Sequence, residues 1–345
     1  MKKKPFDHGD DWPNNSYRRQ YGTQYGDRLI IPALWLGLWN GGVPIGATFG
    51  ALAGGFIQDR LGRRISLILA STLSAICVAI AYVSDLPADI DTRRGVFLTA
   101  KTLQGFANGM IHATAGTYVS ETLPPSLRGP GLALWPLAIL LGALVASIVV
   151  ATSETLPGAA SYRTCFASQW PFVAVFLAVA VLAPESPAWL VRTGRVSRAR
   201  RAFARLDSSL DEGGREAAFV ELQSVLERER KQAADEDVSY GQCFRGVDGR
   251  RSLIAVFTAV VPELFGLPLL ATASYFLQTI GMDTKTSLVF VIVAVALGIV
   301  SNVSAFFILT AVGRRPLLLV GLGIATSLWL SVGISGFFST SGSIW

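Results

Sequence analysis

Residues 55–64 read Gly-Phe-Ile-Gln-Asp-Arg-Leu-Gly-Arg-Arg, a charged stretch that closes the first long apolar run of the chain. A shortened copy, Gly313-Arg314-Arg315-Pro316, lies between two later apolar runs, six predicted membrane spans further on. Membrane transporters are commonly built from repeated halves, with the substrate site between them. The spacing of the two copies therefore predicts two halves of six helices each.

The composition favours a membrane protein over a water-soluble one. Hydrophobic residues make up 51% of the 345 residues and charged residues only 16%, whereas soluble domains average about 25% charged residues. The apolar residues fall in runs near or above about 18, the length that crosses roughly 30 Å of hydrocarbon. Because the basic residues lie between these runs, membrane topology accounts for the net charge of +6, and no polar domain is available to bind nucleic acid.

The apolar runs predict eight spanning helices in an all-α polytopic membrane fold. Glycine and proline interrupt the first and third of them, which neighbouring helices accommodate in a bundle. The predicted spans are residues 29–57, 65–84, 96–119, 131–151, 167–183, 253–277, 287–309 and 316–338.

The loops alternate in basic charge, which predicts their orientation. Arginines concentrate in loops 58–64, 120–130, 184–252 and 310–315 and are few in loops 85–95, 152–166 and 280–286. Arginine-rich loops stay cytoplasmic, so both ends of an eight-span chain are predicted to be outside. The basic residues of the N-terminal tail conflict with this side, although the sequon Asn14-Asn15-Ser16 suits it. The conflict favours a native N-terminus further upstream.

Four segments follow from this topology. They are a polar extracellular tail or loop (1–28), an N-terminal transmembrane half of five helices (29–183), a cytoplasmic linker (184–252) and a partial C-terminal half of three helices (253–345). Within the linker, residues 197–208 and 215–232 have helix-like patterns and predict a helical cap. A solvated loop without regular structure is the alternative.

Three ordered motifs at the predicted helix ends carry a family resemblance. The chain resembles the major facilitator superfamily and, within it, the sugar porter family, from about Tyr17 to Trp345. The matches are Gly-x3-Asp-Arg-x-Gly-Arg-Arg at 55–64, Tyr-x2-Glu-x6-Arg-Gly at Tyr118, Glu121, Arg128 and Gly129, and Pro-Glu-Ser-Pro-x-Trp-Leu at 184–190.

Within that family, the chain is most similar to the fungal maltose and α-glucoside permeases. The similar stretches are Ile31-Pro32-Ala33-x-Trp35 with Asn40-Gly41, and Gly266-x-Pro268-Leu269 with Ser274-Tyr275-Phe276. The resemblance implies the twelve-helix fold, of which this chain carries helices two to nine. The family's first helix, whose Phe-Gly-Tyr-Asp acid is associated with proton coupling, has no match here, and the last three helices are absent too.

By resemblance, charged residues on the predicted inner face form a gate that holds the outward-open state. Exposed ion pairs contribute only about 0–1 kcal/mol each, which suits contacts that break and re-form in every cycle. Simple anchoring of positive loops is the alternative, but anchoring does not require acids. The predicted gate residues are Asp59, Arg60, Arg63, Arg64, Glu121, Arg128, Glu185, Arg314 and Arg315.

Polar residues inside the spans are candidates for substrate contact, because polar groups in a bilayer are expensive and tend to face a cavity or each other. Lys101, Gln104, Asn108 and His112 recur at steps of three or four residues in the third span. This stripe predicts either a sugar-lining cavity surface or hydrogen bonds to neighbouring helices, with Gly105-x3-Gly109 allowing close packing. His112 is a further candidate, as a proton site. The predicted substrate-binding residues are Asn40, Gln104, Asn108, Glu263, Tyr275 and Asn302.

Several positions depart from the family pattern. Glu263 falls on the second position of the family's Gln-Gln-x-Ser-Gly-x-Asn sugar motif, but Pro262 and Pro268 replace the first Gln and the Asn. Pro136 stands where the family has another Gln in helix five. Ala188 and Thr310 stand where the motifs usually carry an Arg and an acid, so the charge relay here is thinner than the family's.

The sequence thus predicts a secondary carrier for a sugar, either an α-glucoside such as maltose or a hexose, coupled to protons and working by alternating access. Its predicted partners are the sugar, protons and membrane lipid, with no nucleic acid, cofactor or metal. A monomer in the plasma membrane is predicted, with an internal membrane as the alternative address. No enzyme motif is present, and the three cysteines have no metal-binding spacing.

The alternative function is a non-transporting sugar sensor or a degenerate, truncated transporter fragment. It is motivated by Pro136, Pro262 and Ala188, and by the helices that the resemblance implies but the sequence lacks.

Overall fold

A computed structural model describes residues 20–25, 28–153, 156, 159–206, 211–235, 240–264, 273, 277, 282 and 284–338. These residues form twelve α-helices, a short 3-10 helix at Tyr240–Phe244 and a two-stranded antiparallel hairpin of β1 (Thr23–Tyr25) and β2 (Arg28–Ile30). The helices are α1 (Ala33–Leu61), α2 (Arg63–Val83), α3 (Ile90–Thr122), α4 (Pro125–Ser153), α5 (Ala159–Ala167), α6 (Trp170–Leu182), α7 (Pro187–Arg192), α8 (Val196–Leu206), α9 (Glu212–Asp235), α10 (Gly246–Leu264), α11 (Thr284–Val312) and α12 (Arg314–Phe338).

Five described segments are long and apolar enough to cross a membrane. They are Arg63–Val83, Leu127–Ser153, Ala159–Leu182, Thr286–Ala305 and Arg315–Ile334. Large apolar side chains on them are well exposed, for example Phe172 at 57% and Val175 at 64%. Such a surface suits lipid and not water. The spans predicted at 65–84, 131–151, 167–183, 287–309 and 316–338 correspond to these five segments.

The remaining three predicted spans correspond to α1, α3 and α10, which are not among those five segments. Helix α1 is rich in glycine and contains Pro44, while α3 carries charged residues at its ends and Lys101 within it, and both features lower hydropathy. The predicted span 253–277 continues beyond Leu264 into residues outside the described part. The predicted loop 152–166 was wrong at its second half, because residues 159–167 are helical and belong to the span that continues into α6.

Glycines let α1 and α3 approach each other closely. A Cβ added to Gly46, Gly50 or Gly105 would overlap a backbone oxygen of the facing helix, so no larger residue fits there without moving a helix. Small residues at steps of four are a common device for close helix packing in membranes. The glycine-bearing side of α3 therefore packs directly against α1.

The ends of α1 and α3 extend beyond the predicted spans. Asp89 caps α3 by accepting the backbone N–H of Thr92 at 2.8 Å, so this helix begins at Ile90 and not at 96. The hydrogen bonds from Thr92 hold the pKa of Asp89 below its ordinary value. Helix α1 begins after Pro32 and ends at Leu61, so residues 58–61, predicted as loop, are helical.

The linker prediction of helices at 197–208 and 215–232 is confirmed by α8 and α9. These helices enclose a small core in which Trp189, Ala199 and Phe219 are buried. The chain divides into two compact units, one made of residues 1–132 and 149–229 and the other of residues 133–148 and 230–345.

Candidate functional site

A single glycine separates α1 from α2 at the arginine-rich end of these helices. Gly62 has φ +100° and ψ 163°, a conformation that side-chain-bearing residues rarely adopt. A Cβ on Gly62 would also lie 2.9 Å from the Cδ atom of Glu185. Glycine is therefore needed here both for the backbone conformation and for the space that the carboxylate occupies.

Glu185 caps the N-terminus of α2 from another part of the chain. Its Oε1 accepts the backbone N–H groups of Arg63 at 2.9 Å, Arg64 at 3.2 Å and Ser186 at 2.9 Å. Gly62 has no side chain to satisfy these first N–H groups, and a carboxylate at a helix N-terminus is also stabilised by the helix dipole. Within the described residues, Glu185 thus binds backbone amides and not arginine side chains, in contrast to the charge pair expected from the sequence.

The Arg63 side chain forms the central ion pair. Its guanidinium lies 2.9 Å from Glu121 Oε1, and the two side chains are only 4% and 11% exposed. Arg63 also lies 3.4 Å from Asp59 Oδ1 and donates to the backbone carbonyl of Gln58 at 3.0 Å. The pair therefore joins α2 to α3, and the bond to Gln58 adds the end of α1.

The segment at the start of α7 completes this arrangement. Ser186 caps α7 at the N–H of Trp189 and donates its hydroxyl to Glu121 Oε2 at 2.6 Å. Trp189 Nε1 donates to the carbonyl of Asp59 at 3.0 Å, and Tyr118 OH donates to the carbonyl of Pro184 at 2.8 Å. We call Asp59, Arg63, Glu121, Glu185 and Ser186 the charge cluster.

Arg192 extends the charge cluster outward to α9. It lies 3.5 Å from Glu121 and 3.1 Å from Glu229, and half of its side chain is exposed. Exposed pairs of this kind contribute about 0–1 kcal/mol, so they break easily. The cluster thus has a buried centre and a weak outer edge.

A protein-family model described as "Sugar (and other) transporter" matches residues 10–345. The chain belongs to this family. The relatives named below are permeases and transporters, so this family member is not an enzyme, as predicted.

Two curated relatives are similar to this family member over most of its length. The general alpha-glucoside permease of Saccharomyces cerevisiae is 30% identical over 334 residues, which cover 94% of this chain and 52% of the permease. The MFS transporter fmqE of Aspergillus fumigatus is 28% identical over 318 residues, which cover 91% of this chain and 57% of that protein. The chain therefore spans about half of the length of these relatives.

The fold of this family member has been seen in solved structures. The proton:xylose symporter XylE, a protein of E. coli, superposes with a TM-score of 0.69 at 22% identity, covering 82% of this chain and 61% of the XylE chain. The likeness confirms the predicted major-facilitator fold.

Four predicted gate residues do not belong to the charge cluster. Two of them contact other residues of the first unit, and two belong to the second unit. Arg60 stacks over Phe56 at 4.0 Å. Arg128 donates to the carbonyl of Leu123 at 3.1 Å. Arg315 is exposed in the second unit, and the side chain of Arg314 lies outside the described part. Their gate role stays a prediction.

The backbone and the side chain of Arg64 bind different parts of the chain. Its backbone N–H binds Glu185 within the cluster, whereas its guanidinium donates to the carbonyl of Val181 near the end of α6.

Gly62, Ser186 and Trp189 were not predicted as site residues. The Pro-Glu-Ser-Pro-x-Trp-Leu and Gly-x3-Asp-Arg-x-Gly-Arg-Arg motifs contain all three and were the signal that could have found them.

The polar stripe of α3 makes an interhelical contact. Gln104 Nε2 donates to Ser74 Oγ of α2 at 2.8 Å and to Asn108 Oδ1 at 3.3 Å. For Gln104, the contact is thus the helix–helix bond that the sequence left open as an alternative. Asn108 and His112 are exposed, and Lys101 lies 5.5 Å from the ring of Phe97.

The other predicted substrate residues are spread along the chain. Asn40 is exposed on α1, and Asn302 is half-buried on α11. Glu263 lies in α10, with its side chain outside the described part, and Tyr275 lies outside the described residues altogether. Their substrate role stays a prediction.

A second polar cluster lies at the opposite end of α2 and was not predicted. The hydroxyls of Tyr21, Ser84 and Tyr162 lie within 2.6–2.7 Å of one another, and Arg94 donates twice to the carbonyl of Tyr21, at 2.7 and 2.9 Å. Burial raises the pKa of Tyr21 above its ordinary value. The segment before α1 is therefore anchored to the ends of α2, α3 and α5, and it is not a freely solvated tail at this point.

Proposed function

We propose that the full-length protein carries a sugar across a membrane by alternating access, with an α-glucoside such as maltose as the first substrate class to test and a hexose as the second. The match of the sugar transporter family model to residues 10–345 is the observation that carries the proposal. The α-glucoside choice is supported by the 30% identity to a general alpha-glucoside permease.

The charge cluster supports the alternating-access part of the proposal. A carrier of this kind must hold one end of its helix bundle closed and then release it. The cluster joins the ends of α1, α2, α3 and α7 through the buried pair of Arg63 with Glu121. Its outer contacts, such as Arg192 with Glu229, are exposed and weak. Within this unit, the buried centre would keep the helix ends together while the exposed outer contacts break and re-form.

Proton coupling, a monomeric state and the plasma membrane belong to the same proposal. Proton coupling is supported by the fold that the chain shares with XylE, which is a proton:xylose symporter. The exposed apolar surfaces of the candidate spans support contact with lipid.

A sugar sensor on the same scaffold is the second candidate. It is supported by Ala188, which is 5% exposed and stands at the position where the resembling family carries an arginine. A sensor would bind the sugar without moving it.

The test is uptake by proteoliposomes that contain the full-length gene product. Labelled maltose and labelled glucose are offered with the outside more acidic than the inside, and again after the gradient is collapsed with a protonophore. We expect accumulation of one sugar that the protonophore abolishes. Binding of a sugar without uptake would replace the transporter by the sensor, and neither binding nor uptake would overturn both.

A further inference from the structure

Helix α8 carries a row of arginines on one side. Arg198, Arg201 and Arg205 lie at steps of three and four residues, so they share one face of the helix, and all three are exposed. On another side, Ala199 and Ala202 are 0% and 8% exposed and pack into the core formed with Trp189. The apolar side of α8 is thus covered by protein, and the arginine row is left to the surroundings.

Arg205 relates the position of this row to the end of a candidate membrane span. Its guanidinium donates to the carbonyl of Leu182 at 3.0 Å. Leu182 is the last residue of α6 and of the candidate span Ala159–Leu182. Arg205 therefore lies where an apolar membrane-crossing helix ends, which is the level of the lipid headgroups.

The charge of the row is not neutralised within the described residues. No carboxylate pairs with Arg198 or Arg201 there. Arg201 donates to the carbonyl of Ser197 at 3.4 Å and lines the pocket between α8 and α9, which also contains Glu212 and Glu216, but it lies within ion-pair distance of neither acid. Arg200 differs, because it faces α9 and pairs with Glu216 at 2.8 Å. The positive charge of α8 is thus concentrated on the side that carries Arg205.

We propose that the arginine row of α8 (Arg198, Arg201 and Arg205) binds the headgroups of anionic phospholipids and holds the linker helices against the membrane. Guanidinium groups bind phosphate and carboxylate oxygens in a bidentate manner. The row lies in the segment predicted to be cytoplasmic, and the cytoplasmic leaflet carries anionic lipid. Since the apolar side of α8 is occupied, the binding is electrostatic and weakens with salt.

The direct test measures lipid binding by the purified full-length protein in neutral detergent. Short-chain phosphatidylserine is titrated against short-chain phosphatidylcholine, and binding is followed by native mass spectrometry. A basic residue near an anionic surface strengthens binding roughly fivefold, so Arg198→Gln with Arg201→Gln is expected to weaken phosphatidylserine binding by roughly 30-fold. The matched control replaces Arg200 and Arg215 by Gln. These two charges line the pocket between α8 and α9, as Arg201 does, but Arg200 is paired with Glu216, so this variant should leave binding within about threefold.

Two further arms separate the outcomes. The variant Arg198→Lys with Arg201→Lys keeps both charges and should retain most of the binding, which excludes misfolding as the cause of the loss. Inorganic phosphate should compete only weakly. Equal binding of the two lipids, an unchanged affinity in the Gln variant, or competition by phosphate as strong as by lipid would each overturn the proposal.

Discussion

The buried pair of Arg63 with Glu121 allows a quantitative prediction. The variant Glu121→Gln keeps the shape of the side chain and an oxygen that accepts the Ser186 hydroxyl, but it removes the negative charge. Arg63 is then a buried cation, and its other acid, Asp59, is 3.4 Å away and 70% exposed. Removing one partner of a buried pair costs about 3–5 kcal/mol.

The assay is the free energy of unfolding in mixed micelles, obtained by titrating with sodium dodecyl sulfate and following helical circular dichroism. Glu121→Gln should lower this free energy by about 3–5 kcal/mol. The matched control is Glu216→Gln, which breaks an exposed pair with Arg200 and should cost no more than about 1 kcal/mol.

A double-mutant cycle then isolates the pair. Arg63→Gln together with Glu121→Gln should cost about 1–3 kcal/mol less than the sum of the two single losses, because the second change removes a charge that has already lost its partner. Additivity to within about 0.5 kcal/mol would show that the two charges are not coupled, and the description of the cluster as a buried ion pair would be refuted.

Three further predictions use the same unfolding assay. Gly62→Ala should cost about 1–3 kcal/mol, because a positive φ with an extended ψ is essentially restricted to glycine. A stability equal to wild type would contradict the described turn. Gly50→Ala should destabilise the protein strongly, because the added Cβ overlaps the backbone of the facing helix. The control is Gly37→Ala on the same helix, whose Cβ meets nothing within 4 Å and which should be neutral or slightly stabilising. Equal effects of the two substitutions would disprove the close packing. Tyr21→Phe should cost about 1–3 kcal/mol by leaving buried hydroxyls short of a partner. The control is Tyr82→Phe, which is expected to change little because the Tyr82 hydroxyl makes no hydrogen bond to the described residues.

Helix existence could be predicted from the sequence because apolar length alone marks a membrane span. Helix ends could not, since one glycine suffices to separate α1 from α2. Residues 58–64 were expected to be a loop because they are charged, yet residues 58–61 remain helical and Gly62 alone makes the turn. Charge at the end of a membrane helix indicates the surface level and not the end of the helix.

The members of the charge cluster could be predicted in part, but their partners could not. Acids at Asp59, Glu121 and Glu185 were singled out because positive loops do not require them. Which group each acid binds depends on three-dimensional proximity, and Glu185 binds backbone amides that no sequence pattern displays. Tyr21 was missed because an aromatic residue in a polar stretch carries no periodic signal.

The most direct test of the proposed carrier function is sugar counterflow. Proteoliposomes with the full-length protein are loaded with unlabelled maltose and diluted into labelled maltose, with no proton gradient. Alternating access predicts a transient excess of label inside, above its equilibrium level and absent from protein-free liposomes. If maltose and glucose both enter no faster than they enter protein-free liposomes, the protein does not carry them and the account is contradicted.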